Sequence, residues 1–168
     1  MSSNNQNTLV SITHYFEADH DRLDGLFRHF QEFKQSDYSR AREYFVQFKF
    51  GLQRHIIWEE EILFPFFEKK FGLHDIGPTV VMRNEHRQIG KCLEDIHKKV
   101  QESNPGSDLE EKALLEVLKL HNLKEEQVLY PAIDSMITRE EVESAFVQMK
   151  NIPESRYETC CKHSVVLK

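Results

Sequence analysis

An eleven-residue pattern occurs twice in this chain, and it limits the possible folds more than any other feature. His55-Ile56-Ile57-Trp58-Glu59-Glu60-Glu61-Ile62-Leu63-Phe64-Pro65 aligns with His121-Asn122-Leu123-Lys124-Glu125-Glu126-Gln127-Val128-Leu129-Tyr130-Pro131 at an offset of 66 residues, with five of eleven positions identical. The same offset carries His20 onto His86, Leu23 onto Ile89 and Phe27 onto Leu93. A chain that repeats itself at fixed spacing predicts two like units, stacked with pseudo-twofold symmetry.

Each unit reads as a pair of long amphipathic helices. Apolar residues recur at steps of three and four, the spacing that lines one face of an α-helix. Ile12, Phe16, Leu23, Phe27 and Phe30 mark a first helix over about 12–33, and Phe45, Phe48, Leu52, Ile62 and Phe66 a second over about 40–71. Gly72 then stops it, since glycine takes the left-handed conformation that commonly ends helices. Met82, Ile89, Leu93, Ile96 and Val100 mark a third helix over about 79–101, and Leu114, Val117, Leu118 and Val128 a fourth over about 109–136. The turn-rich segment Glu102-Ser103-Asn104-Pro105-Gly106-Ser107-Asp108 separates them. Thr138 and Glu141 have the spacing of a capping box, which starts a short fifth helix. The predicted fold is all-α: an antiparallel up-down four-helix bundle of two helical hairpins over residues 1–150, with a short C-terminal helix, then a tail over 151–168.

The chemistry lies in the polar residues on the apolar stripes. A step of four leaves two side chains on one helix face, so His55 shares a face with Glu59, and His121 with Glu125. His20 sits between Phe16 and Leu23 on its stripe, and His86 between Met82 and Ile89. Four imidazoles and two carboxylates are thus aimed into the core. An uncompensated buried carboxylate is costly, and the stripes carry no Lys or Arg to pair with it. A metal compensates both groups, because it takes neutral imidazole and ionised carboxylate. The symmetry predicts two ions, each held by two of the histidines, with both carboxylates bridging. This donor set suits iron or manganese, and zinc less well. His97 lies about 16 Å along the helix from His86, too far for the same pair. His14 is turned away from His20, and His29, His74 and His163 read as surface residues. Cys160 and Cys161 read as thiols outside the metal site.

Composition excludes several classes. A net charge of −6 is the wrong sign for a nucleic-acid binder. No apolar run is long enough to span a membrane, and Met1 to Thr8 lacks the basic and apolar regions of a signal peptide. Three cysteines, two of them adjacent, make no disulfide framework and fit the reducing cytoplasm.

His20 near an Asp, His55-x-x-x-Glu59 with Glu60 and Leu63-Phe64-Pro65, Asn84-Glu85-His86, and His121-x-x-x-Glu125 with Leu129-Tyr130-Pro131 together resemble the hemerythrin-like, or HHE cation-binding, domain. The resemblance covers about residues 10–136. It implies a four-helix bundle around a non-haem di-iron centre with carboxylate and oxo or hydroxo bridges, and by position His20, His55, Glu59, His86, His121 and Glu125 match the family's metal ligands. It further implies a small ligand, O2, NO or peroxide. The alternatives are an oxidoreductase acting on a small substrate, or iron sensing or storage. Oxygen-carrying members have a histidine where this chain has Gly90, so simple oxygen carriage is not the expectation. The vacancy at Gly90, against Asp24 at the matching place in the first repeat, predicts two inequivalent metals with the open position beside Gly90. Asp24 is a candidate extra ligand or hydrogen-bond partner.

Overall fold

In a computed structural model, residues 10–73 and 75–157 are described. His74, Cys160, Cys161 and His163 lie outside the described residues. Helix α1 (Ile12–Phe33) is followed by α2 (Tyr38–Trp58), a π-helical turn at Glu59–Leu63, and α3 (Phe64–Phe71). The second half repeats this order with α4 (Pro78–Gln101), α5 (Asp108–Lys124), a π-helical turn at Glu125–Leu129, and α6 (Tyr130–Asp134). A last helix, α7 (Arg139–Asn151), starts at a Thr138–Glu141 capping box, as its sequence predicts. α1 packs along α2 and α4 along α5, so the two hairpins form a four-helix core.

The two π turns interrupt what the apolar spacing reads as single unbroken helices. In each, one backbone N–H reaches back five residues instead of four: Phe64 N–H to Glu59 C=O, and Tyr130 N–H to Glu125 C=O. A proline follows immediately in both halves, Pro65 and Pro131. Proline has no N–H to offer and its ring crowds the carbonyl four residues back. Widening the preceding turn by one residue relieves both problems, and such turns recur at functional sites.

The extra residue also moves the stripe. Phe67 takes the deep position, 5 % exposed, where the even spacing points to Phe66. Val128 is 62 % exposed and does not belong to the core stripe on which its spacing puts it. Its repeat counterpart Ile62 is covered because α7 lies over the first π turn and adds Val142 and Ala145 to that part of the core. Among the described residues no helix lies over the second π turn in this way, and the same register leaves Val128 exposed.

The apolar core comes in two blocks. One contains Phe16, Trp58, Ile62, Leu63, Phe64, Met82, Leu129 and Tyr130, and the other Leu23, Phe27, Phe48, Leu52, Ile89, Leu93 and Leu118. Between them in every helix falls a polar residue: His20 in α1, His55 and Glu59 in the second helix, His86 in α4, His121 and Glu125 in the fourth. The hairpins are joined at their ends. The Asp134 carboxylate accepts from the backbone N–H of Ile12 at 2.9 Å and of Thr13 at 3.0 Å, capping α1 from the far end of the chain. This places negative charge at the positive end of the helix dipole. Trp58 Nε1 donates to the Tyr157 hydroxyl at 2.9 Å, fastening residues beyond α7 to α2.

Candidate metal centre

The six residues picked out by the repeat converge in the layer between the two core blocks. All are buried; Glu59 and Glu125 have no exposed surface at all. The imidazoles meet in pairs, one pair per hairpin. His20 Nε2 lies 3.0 Å from His55 Nε2, and His86 Nε2 lies 3.1 Å from His121 Nε2.

The other ring nitrogen of each histidine faces a carboxylate oxygen. Asp19 holds His55 Nδ1 at 3.0 Å and Glu85 holds His121 Nδ1 at 2.9 Å, each within its own hairpin. Glu60 holds His86 Nδ1 at 2.7 Å and Glu126 holds His20 Nδ1 at 2.7 Å, each reaching across to the other hairpin. These four obey the repeat, since the 66-residue offset carries Asp19 onto Glu85 and Glu60 onto Glu126. The apolar spacing does not single them out as a set. The available signal was acidic character kept at both copies, directly beside a ligand position.

With Nδ1 donating to a carboxylate, a neutral imidazole presents a bare lone pair at Nε2. Two such lone pairs at 3.0 Å repel unless a proton or a cation lies between or beside them. The carboxylates show the same shortfall. Glu59 Oε2 and Glu125 Oε1 are buried and accept no hydrogen bond, although His86 Nε2 is 3.2 Å from the first and His121 Nε2 3.0 Å from the second. Neither carboxylate meets a lysine or arginine among the described residues. Glu59, His86, His121 and Glu125 bring one ligand atom each to within 4.8 Å of one another, and so do His20, His55 and Glu125. Glu125 belongs to both groups: its Oε2 is 3.5 Å from His20 Nε2, while its Oε1 faces His121. Paired lone pairs, orphaned oxygens and a carboxylate shared between two clusters are the donor set of a carboxylate-bridged dinuclear metal site, and imidazole with carboxylate fits iron.

The field around the layer follows from its charges. Burial alone lowers the His20 pKa, but Glu125 and Glu126 outweigh it and raise it to about 9. His86 is pushed up to about 10, with Glu59 and Glu60 overcoming its burial. His121 is raised in the same way by Glu125. Asp19 resists its own burial through His55 and Arg22 and falls to about 2. Without metal, then, the Nε2 pairs hold protons near neutral pH, and a metal must displace them.

Tyr130 is the participant that the repeat did not flag as chemical. Its hydroxyl donates to Glu59 Oε1 at 2.6 Å and lies 3.0 Å from Glu125 Oε2. Five residues along an α-helix turn a side chain about 140° away; the π turn brings Tyr130 back beneath Glu125. Burial, then the charges of Glu125 and Glu59, raise its pKa well above the ordinary phenol, so it stays a donor. The first repeat has Phe64 at this place, stacked on His86 with ring centroids 5.6 Å apart. The two halves of the centre therefore differ at Tyr130 against Phe64. Asp24 is exposed and is not gathered with either ligand group. Gly90 borders a cavity against α2, and a Cβ there would meet nothing within 4 Å.

The family model described as the hemerythrin HHE cation binding domain matches residues 11–133. A DNA nickase of Nostoc sp. is 27 % identical over 84 % of this chain and 38 % of its own length. An uncharacterised hemerythrin-like protein of Schizosaccharomyces pombe is 30 % identical over 79 % of this chain and 64 % of its own. The iron-sulfur cluster repair protein of Escherichia coli is 42 % identical over 45 residues, 27 % of this chain and 20 % of its own length. The chain thus spans less than two thirds of each of these relatives. No solved structure matches.

Proposed function

The chain belongs to the hemerythrin HHE cation-binding domain family, and from that premise we propose that it is a non-haem di-iron protein that binds or reacts with O2, NO or peroxide. The observation that carries this reading is the imidazole layer: four Nε2 lone pairs in two facing pairs, each backed through Nδ1 by a carboxylate. His20, His55 and Glu125 would hold one ion, and His86, His121, Glu59 and Glu125 the other. Bound iron supplies the redox change that capture or reduction of these small molecules requires. The chain's own residues do the rest. Asp19, Glu85, Glu60 and Glu126 fix the ring orientations and make the imidazoles more basic, as hydrogen-bonded partners of metal ligands do. The apolar blocks on either side exclude bulk water. Tyr130 keeps a proton on its hydroxyl, which lies between Glu59 and Glu125.

The activities in the relatives' names are not carried over. DNA nicking belongs to a protein of which this chain spans 38 %, and a net charge of −6 lacks the basic excess that neutralises phosphates. Cluster repair belongs to a protein matched over 45 residues only. The test is metal content and reactivity. Protein grown with ample iron should carry close to two metals per chain, and Glu125→Ala, which removes the shared carboxylate, should lose them. Anaerobic reduction followed by rapid mixing with O2, NO or peroxide should then change the visible spectrum. One tightly bound metal that survives Glu125→Ala, or two metals whose spectrum ignores all three molecules, would overturn the reading.

A further inference from the structure

The layer has a neighbour that neither the family nor the ligand set accounts for. A cavity of about 200 Å³ lies along the seam of α2 and α4. Ile56, Ile57, Ile89 and Leu93 supply apolar walls, and Gly90 leaves one wall without a side chain. One end is His86, with its Nε2 in the metal layer. The other end is Lys49 and Glu94, which pair at 3.5 Å. Gln53 forms part of the wall between these ends, and its carboxamide oxygen is buried without a hydrogen-bond partner.

Each feature limits the occupant. An apolar cavity of about 150 Å³ is already large enough to take benzene, so this one accommodates a ring or branched chain of roughly seven to ten heavy atoms. A charged ligand is disfavoured, because Lys49 and Glu94 already compensate each other and the walls are hydrocarbon. A purely apolar ligand leaves the Gln53 oxygen orphaned. A ligand with one hydroxyl satisfies it, since a carboxamide turns readily about its last torsion.

We propose that this cavity binds a small, uncharged, mainly apolar molecule that places one hydroxyl against Gln53 and its far edge against His86. As a binding site the cavity stands independently; as the place of a substrate it rests on the metal-centre reading, because only a metal held by His86 would put reactive chemistry at its end. Gly90 is then the residue that keeps the cavity open, and Gln53 the residue that selects what enters.

Phenol and toluene test this, because they share size and shape and differ at the hydroxyl. Full-length protein, metal-free and iron-loaded, is titrated with each, reading amide shifts of Gln53, Gly90 and Leu93 by NMR in the metal-free sample. The visible spectrum is read in the loaded one. Phenol should saturate those shifts and bind about fivefold or more tighter than toluene, the advantage of one hydrogen bond of ordinary strength. Gly90→Phe, which fills the open wall, should weaken both ligands about tenfold or more. Gln53→Leu should keep toluene binding and bring the two affinities together. If Gly90→Phe unfolds, Ile57→Phe narrows the same cavity from α2 and should give the same loss. Absence of saturable shifts in the parent protein overturns the proposal, as does phenol binding undiminished in a folded cavity-filling variant. A preference for phenol that survives Gln53→Leu overturns the role of the hydroxyl. Phenol binding by a protein that takes up no metal supports the cavity and sinks the metal-centre reading; two metals with no phenol binding does the reverse.

Discussion

Replacing Tyr130 with phenylalanine removes one oxygen from the middle of the centre and little else. The ring packs against Phe16 with centroids 5.2 Å apart, a contact that the substitution keeps. Its repeat counterpart Phe64 is fully buried without a hydroxyl, so the fold accepts a phenyl ring at this place. What disappears is the 2.6 Å hydrogen bond to Glu59 and the weaker one at 3.0 Å to Glu125. A hydrogen bond to a charged acceptor contributes about 1.5–3 kcal/mol, and its loss leaves a buried carboxylate less satisfied. In the metal-free protein the hydroxyl is the hydrogen-bond donor to Glu59 Oε1 among the described residues. The expected cost there is about 2 kcal/mol, which for a domain of this size is a fall in Tm of about 4–8 °C. In the metal-loaded protein the same oxygens have cations to neutralise them, and the fall should be smaller. Differential scanning calorimetry of both forms measures the two numbers. A Tyr130→Phe protein whose metal-free form melts within about 1 °C of the parent would show that the hydroxyl does not compensate the carboxylates. An equal loss in both forms would show that it acts independently of the metal.

Four other outcomes follow from the same geometry. His20 at about 9 and His86 at about 10 are protonated at neutral pH in the metal-free fold. Metal uptake in weakly buffered solution near pH 7.5 should therefore release about one proton per metal, and uptake without acidification refutes the proton-held pairs. Because these pKa values are raised, their stabilisation of the metal-free fold is fully present below about pH 6.5 and is lost as pH rises through about 9 to 10; urea melts across that range check the sign. Glu126→Gln weakens the support of His20 Nδ1 and should lower affinity for the metal on that side by about 10- to 100-fold, which competition with a chelator reads directly. Two of the three mid-helix glycines, Gly51 and Gly90, should respond oppositely to alanine. Gly90→Ala meets open space and should stabilise by about 0.5–1 kcal/mol. Gly51→Ala would set its Cβ 2.7 Å from Leu23 Cδ2 and 2.9 Å from the Arg22 guanidinium, and should destabilise by about 1–3 kcal/mol through overpacking. Equal and favourable effects in thermal melts would contradict the close approach of α1 to α2.

The sequence by itself determined the helices, the hairpins and the six residues of the layer. Those properties follow from periodicity: steps of three and four put His20, His55, Glu59, His86, His121 and Glu125 on buried faces whatever surrounds them, and the 66-residue offset makes the faces equivalent. Periodicity says nothing about features that depend on which helix lies opposite. Asp19 and Glu85 reach their histidines within one hairpin, whereas Glu60 and Glu126 reach across to the other, and only the packed bundle decides which imidazole each one orients. The π turns were half legible, since Pro65 and Pro131 signal trouble inside a helix, but a proline does not say whether the helix kinks, ends or widens. Widening is what carries Tyr130 beneath Glu125 and shifts the deep position from Phe66 to Phe67. Ile62 and Val128 hold equivalent places in the repeat, yet one is buried and the other exposed, because α7 packs over the first π turn. A sequence repeat fixes which side of each helix is apolar; which neighbour covers that side, and what gaps such as the cavity at Gly90 remain, is settled by how unequal side chains fill the space between helices.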